Sequence, residues 1–101
     1  MAKALILTTD GQRTERELAT LEEMQEVVGG NIEVIGLPKS DLYVNEDGVE
    51  LRLPPNRLAT RYAVSELNAV GRRLLLANED ILGTVFILGK PDASGEPTDC
   101  P

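Results

Sequence analysis

The stretch LPPNRLATRYAVSEL, residues 53–67, decides how the chain is read, because here strand gives way to helix. Pro54 and Pro55 cannot donate to a strand ladder, and Asn56 is a competent N-cap. Leu58, Ala59, Tyr62, Ala63 and Leu67 then recur at helical spacing and form an apolar arc. On the opposite side Arg57 and Arg61 stand one turn apart, and Asn68 extends the ridge if the helix lasts that far. Glu66 falls inside the apolar arc, so either the helix ends early or this carboxylate pairs with an arginine.

Upstream, DLYVNEDGVELRL reads as a hairpin: Asn45, Glu46, Asp47 and Gly48 separate two apolar-rich runs, with Gly48 suited to a left-handed turn position. Val49, Leu51 and Leu53 alternate with Glu50 and Arg52 on its second strand. A calcium loop is excluded there, because the spacing puts Tyr43 at the first ligand position and Pro54 where a bidentate glutamate belongs. NIEVIGLP reads as a strand with both faces covered, Ile32 and Val34 on one side and Ile35 and Leu37 on the other. Before it, Thr20 and Glu23 match a capping box. Leu21, Met24, Val27 and Val28 share one helical face, and Gly29 and Gly30 end the helix. The run Ala4, Leu5, Ile6 and Leu7 forms a buried first strand, turned at Thr9, Asp10 and Gly11 toward a short second strand over residues 14–18.

Downstream, residues 68–80 extend the helix or form another strand, with Gly71 favouring a break and Arg72 and Arg73 read as a solvated pair. ILGTVFILG is a last strand, and residues 90–101 have the Pro, Gly, Asp and Ser content of a disordered tail. The expected organisation is one α+β domain over residues 1–89, with a mixed or antiparallel sheet of about five strands and two helices packed on it.

The ordered set KALILTTDG, VVGGNIEVIGLP, VNEDG, LPPNRLAT and ILGTVFILG resembles a small family found in bacteriophages, plasmids and bacteria. That family is classed as a domain of unknown function of the thirty-eight forty-six type. The resemblance spans residues 3–89 and implies a compact α+β domain in a mobile-element setting. It carries no activity, and residues 68–76 are longer than the family's usual connection.

Composition narrows the chemistry further. The chain has no histidine, which removes the commonest general base, the Ser-His-Asp arrangement and imidazole metal sites. Cys100 is the one cysteine, so no internal disulfide or cysteine-based metal site forms, in keeping with a reducing cytoplasm, or a host cytoplasm if the chain is phage-encoded. The glycines fit neither a phosphate loop nor a dinucleotide fingerprint, and three aromatic residues offer little to a sugar cleft. The expectation is therefore no enzyme, no cofactor and no metal. No apolar run approaches the roughly 20 residues of a membrane span, and a net charge of −7 disfavours direct nucleic-acid binding.

Within this acidic chain, residues 51–73 carry five arginines against Glu66 alone. Arginine suits bidentate contact with carboxylate or phosphate. Asn56, Arg57 and Arg61 beside a helix N-terminus are thus candidates to bind an anionic ligand, including a nucleotide-derived one; the alternative for both arginines is salt bridging to the chain's own acids. Arg52 is most simply a cross-strand partner for an acid. A second hypothesis places function on an acidic surface, Glu22, Glu23 and Glu26 together with NEDG, docking on a basic or nucleic-acid-binding host protein; otherwise those glutamates are a solvated face. Exposed sheet edges leave room for a homo-oligomer under either hypothesis.

Overall fold

The computed structural model describes residues 2–67 and 80–101. Among these, β1 (Ala2–Leu7), β2 (Arg13–Leu18), β3 (Ile32–Gly36), β4 (Ser40–Asn45) and β5 (Val85–Gly89) form one sheet in the order β2-β1-β5-β4-β3. Every pairing is antiparallel. Helices α1 (Leu21–Val28) and α2 (Arg57–Glu66) cover its two faces.

Strand alternation assigns each side chain to one face. Leu5, Leu7, Leu42, Val44, Val85 and Ile87 pack with Ala59, Ala63 and Tyr62 of α2, whereas Ala4, Ile6, Phe86 and Leu88 pack with Met24, Val27 and Val28 of α1. Central β5 is buried along its whole length, as a strand covered on both faces must be. On the α1 side Tyr43 stacks on its cross-strand partner Phe86, ring centroids 4.6 Å apart.

Helix α1 opens with the expected capping box: Thr20 Oγ1 accepts from Glu23 N at 3.1 Å, and Glu23 Oε1 accepts from Thr20 N at 3.1 Å. Gly29 closes it in the left-handed region at φ 79°, where glycine escapes the Cβ penalty.

The hairpin expected around Asn45 to Gly48 is corrected. The observed hairpin joins β3 to β4 through Pro38 and Lys39, with Leu37 N donating to Ser40 O at 2.9 Å. Strand β4 already has β3 on one edge and β5 on the other, so a strand over residues 49–53 has no edge of β4 to join. Residues 46–52 instead form successive turns, with Leu51 N donating to Asp47 O and Leu53 N to Gly48 O. Val49 and Leu51, expected to face inward, are 70% and 56% exposed. The left-handed position falls on Arg52 at φ 54°, not on Gly48.

Residues 90–101, expected from composition to be a disordered tail, return to the sheet. Gly89 N donates to Thr98 O, Cys100 N to Lys3 O, and Lys3 N to Asp99 Oδ1. The segment thus bridges the last residue of β5 and the start of β1. A Cβ on Gly89 would overlap Thr98 Oγ1 and the Asp99 carbonyl, so this approach requires glycine. The turn before it is held by Asp92, whose carboxylate accepts from Ser94 N, Ser94 Oγ and Glu96 N. The readings for residues 68–79, including Asn68 in the ridge and the pair Arg72 and Arg73, lie outside the described residues.

Candidate functional site

The site is organised by the start of α2. Past the two prolines, Asn56 N donates to Ile81 O at 2.7 Å and Gly83 N donates to Pro54 O at 2.8 Å, which ties the helix entry to the segment leading into β5. The Asn56 side chain is 0% exposed. Its Oδ1 accepts from Ala59 N at 3.0 Å, while Nδ2 donates to Leu7 O at 2.9 Å and Gly83 O at 2.8 Å. Thr60 adds a second tie, donating from Oγ1 to Asn56 O and accepting from Ile81 N at 3.1 Å. Asn56 therefore stands behind the surface as a positioning residue: it fixes the first turn of α2 against β1.

Arg57 and Arg61 emerge from that turn into solvent. Among the described residues neither forms a salt bridge; the two ion pairs are Arg16 with Glu23 at 3.6 Å and Lys90 with Asp41 at 2.6 Å. Glu66, the carboxylate on their own helix, is committed elsewhere. It accepts from Lys39 N at 2.7 Å and from Ser40 Oγ, pinning the end of α2 to the β3–β4 turn. This is why an acid sits within the apolar arc: it reaches past the core to polar groups at the rim.

Two shallow concavities flank the arginines. One of about 340 Å³ lies between the Thr9–Gly11 side of the first hairpin and Pro55, Arg57 and Arg61. Its neighbour, about 290 Å³, is lined by Arg13, Arg61, Tyr62 and Ser65. Arg13 was missed by sequence reasoning. Its signal is register: Arg13 pairs with Leu7 in the β1–β2 ladder and so lies on the α2 side. A third concavity between Arg57, Thr60 and Arg61 also has Asp80 on its lining. No acid occupies the first turn of α2, so its positive dipole end adds to the arginine charges, whereas Glu22 and Glu23 offset that of α1.

The acidic candidates separate in the structure. Glu22 and Glu26 are exposed, but Glu23 accepts from Ala19 N at 3.0 Å, completes the capping box and pairs with Arg16. These contacts, the Ala19 amide foremost, hold its carboxyl below the usual range. Cys100 packs beside Tyr62, and burial raises both groups, the tyrosine to about 12. The thiol is thus poorly poised as a nucleophile.

Among the described residues no group of histidine, cysteine, aspartate and glutamate side chains is placed to hold a metal, and no helix is long and apolar enough to cross a membrane. No curated protein and no solved structure matches the chain. A family model does, over residues 2–101, and that span takes in the C-terminal segment as well as the sheet and helices; the chain belongs to the family described as domain of unknown function (DUF3846).

Proposed function

We propose that the protein is a noncatalytic binding module that captures an anionic ligand on the face formed by Arg57 and Arg61, with Arg13 at its side. The observation that carries this reading is that, in a chain of net charge −7, these arginines stay exposed and make no salt bridge to any described carboxylate. Two guanidinium groups one turn apart match the bidentate acceptors of a phosphate, and the dipole of α2 favours the same charge. A nucleotide-derived ligand fits best, because Tyr62, Leu58 and Pro55 provide apolar lining beside the cations. In a mobile element, a small noncatalytic protein of this kind would sequester a host signal, an anti-defence role in the host cytoplasm.

The alternative, charge mimicry by Glu22, Glu23 and Glu26 together with NEDG against a basic host protein, rests on the exposed carboxylates of Glu22, Glu26, Glu46 and Asp47, since Glu23 is engaged in its cap and ion pair.

Amide NMR titration with pyrophosphate and with nucleoside triphosphates tests the reading. Shifts are expected at Gly11, Arg57, Leu58 and Arg61 and should vanish in the Arg57→Glu, Arg61→Glu double variant. Shifts that persist in the double variant, or that map to α1, would overturn it.

A further inference from the structure

The two edges of the sheet differ in chemistry. Edge strand β2 reads RTEREL and is exposed except for Leu18, the charged, self-protecting type of edge. The opposite edge, β3, reads IEVIG and carries one charge, Glu33. Its register with β4 fixes which backbone groups are turned outward. Leu37 N donates to Ser40 O and Glu46 N to Asn31 O, so the odd-numbered residues of this segment bond to β4. The N–H and C=O groups of Ile32, Val34 and Gly36 therefore point away from the sheet.

Beside this edge lies a groove of about 240 Å³ whose lining includes Ile35, Val44, Val49 and Leu82. Val34, on the other face of the same strand, is 50% exposed, and Leu51 lies exposed in the loop that also carries Val49. Among the described residues the charged side chains of the groove are Glu33, Glu46 and Asp80, with no cation beside them on its lining. None of the three forms a salt bridge among the described residues.

We infer that β3 is a strand-addition site for an extended segment of a partner protein that alternates basic and apolar residues. The added strand hydrogen-bonds to Ile32, Val34 and Gly36 and places a lysine or arginine opposite Glu33. Its apolar side chains then cover Val34 on one face, while its basic ones lie over Glu33 and the groove carboxylates Glu46 and Asp80 on the other. The choice of a basic partner follows from the carboxylates: a second copy of this chain would bring three more of them into the same groove, which like-charge repulsion opposes. This surface adjoins the arginine face of α2 at Asp80, which lines both the groove and the concavity between Arg57 and Arg61, while the β3 edge itself lies apart from those arginines.

A short blocked peptide of alternating lysine and valine is the probe, with an alternating glutamate and valine peptide as control. Hydrogen exchange at Ile32, Val34 and Gly36 is expected to slow on adding the lysine peptide and to be unchanged by the control. Val34→Pro removes only an outward donor, which an edge strand tolerates, and should weaken the peptide about tenfold, the equivalent of one lost hydrogen bond. Glu33→Lys, a surface change independent of backbone geometry, should weaken the lysine peptide and admit the glutamate one. Several results would overturn the inference: no binding, equal affinity for both peptides, binding indifferent to both variants, or a dimer in sedimentation that Val34→Pro converts to monomer while the peptide fails to compete.

Discussion

The two helices use the same capping chemistry to different ends. In α1, Thr20 Oγ1 caps Glu23 N at the surface and Glu23 reciprocates, so the whole device is local. In α2, Asn56 Oδ1 caps Ala59 N, yet the same amide also reaches two carbonyls far away in sequence, Leu7 O and Gly83 O, from a fully buried position. A local cap stabilises its helix, whereas a buried cap also fixes where that helix stands on the sheet. The helix held by the buried cap is the one that presents Arg57 and Arg61, and pre-set positions are what paired anion contacts require.

The largest break in this comparison comes from Asn56→Ala. It removes a hydrogen-bond partner from two carbonyls and one amide around a fully buried side chain, and urea unfolding should show a loss on the order of 3–4 kcal/mol. Asn56→Asp sharpens it: the cap to Ala59 N survives, but both Nδ2 donors are lost, so most of the destabilisation should remain. At the other helix, Thr20→Ala should cost only about 1 kcal/mol, and Thr20→Asp should be close to neutral. The Glu23 carboxyl is held low in the fold, so its contribution is present above the ordinary glutamate range and is lost as pH falls through the lowered value. Glu23→Gln, which cannot ionise, should flatten that acid limb in a pH series of melting temperatures, whereas Thr20→Ala, which keeps the backbone donors of Ala19 and residue 20, should leave most of it.

A smaller difference sits at the alkaline end. Tyr62 on α2 ionises at about 12 in the fold because burial disfavours the phenolate, against the ordinary value of 10.0. The folded state therefore holds its proton longer than the unfolded state, and stability falls as pH rises from 10 toward 12. Absorbance titration of tyrosinate should show a late step that Tyr62→Phe removes. Smallest in stability is Arg57→Glu, Arg61→Glu, expected within about 0.5 kcal/mol of the parent because both side chains are solvated. Its effect should fall on anion binding alone, and Glu22→Lys, Glu26→Lys should leave that binding in place.

Much of the fold was legible because period and punctuation agree. Thr20, Glu23 and Gly29 mark α1, and the run Ile32 to Leu37 reads correctly as a strand, although the expected cover on both faces is not found: β3 lies at the sheet edge and Val34 is 50% exposed. What misled was also local. Val49, Leu51 and Leu53 alternate like a strand, but nothing in that stretch tells that both edges of β4 are taken. Residues 90–101 carry the composition of a disordered tail, while their hydrogen bonds depend on Gly89 and Lys3, the latter at the far end of the chain. At the candidate site Arg57 and Arg61 were visible from helical spacing. Arg13 was not, because only the β1–β2 register brings it near. Asn56 was recognisable as a cap, whereas its burial depends on partners in β1 and before β5.

The central claim is that the arginine face of α2 holds an anion. Its most direct test is a native mass spectrum of the protein purified gently from its expression host, beside the Arg57→Glu, Arg61→Glu variant and repeated after incubation with nucleotides. The account predicts an added mass on the parent protein that the variant lacks. Identical bare masses for both, unchanged by nucleotide, would contradict it.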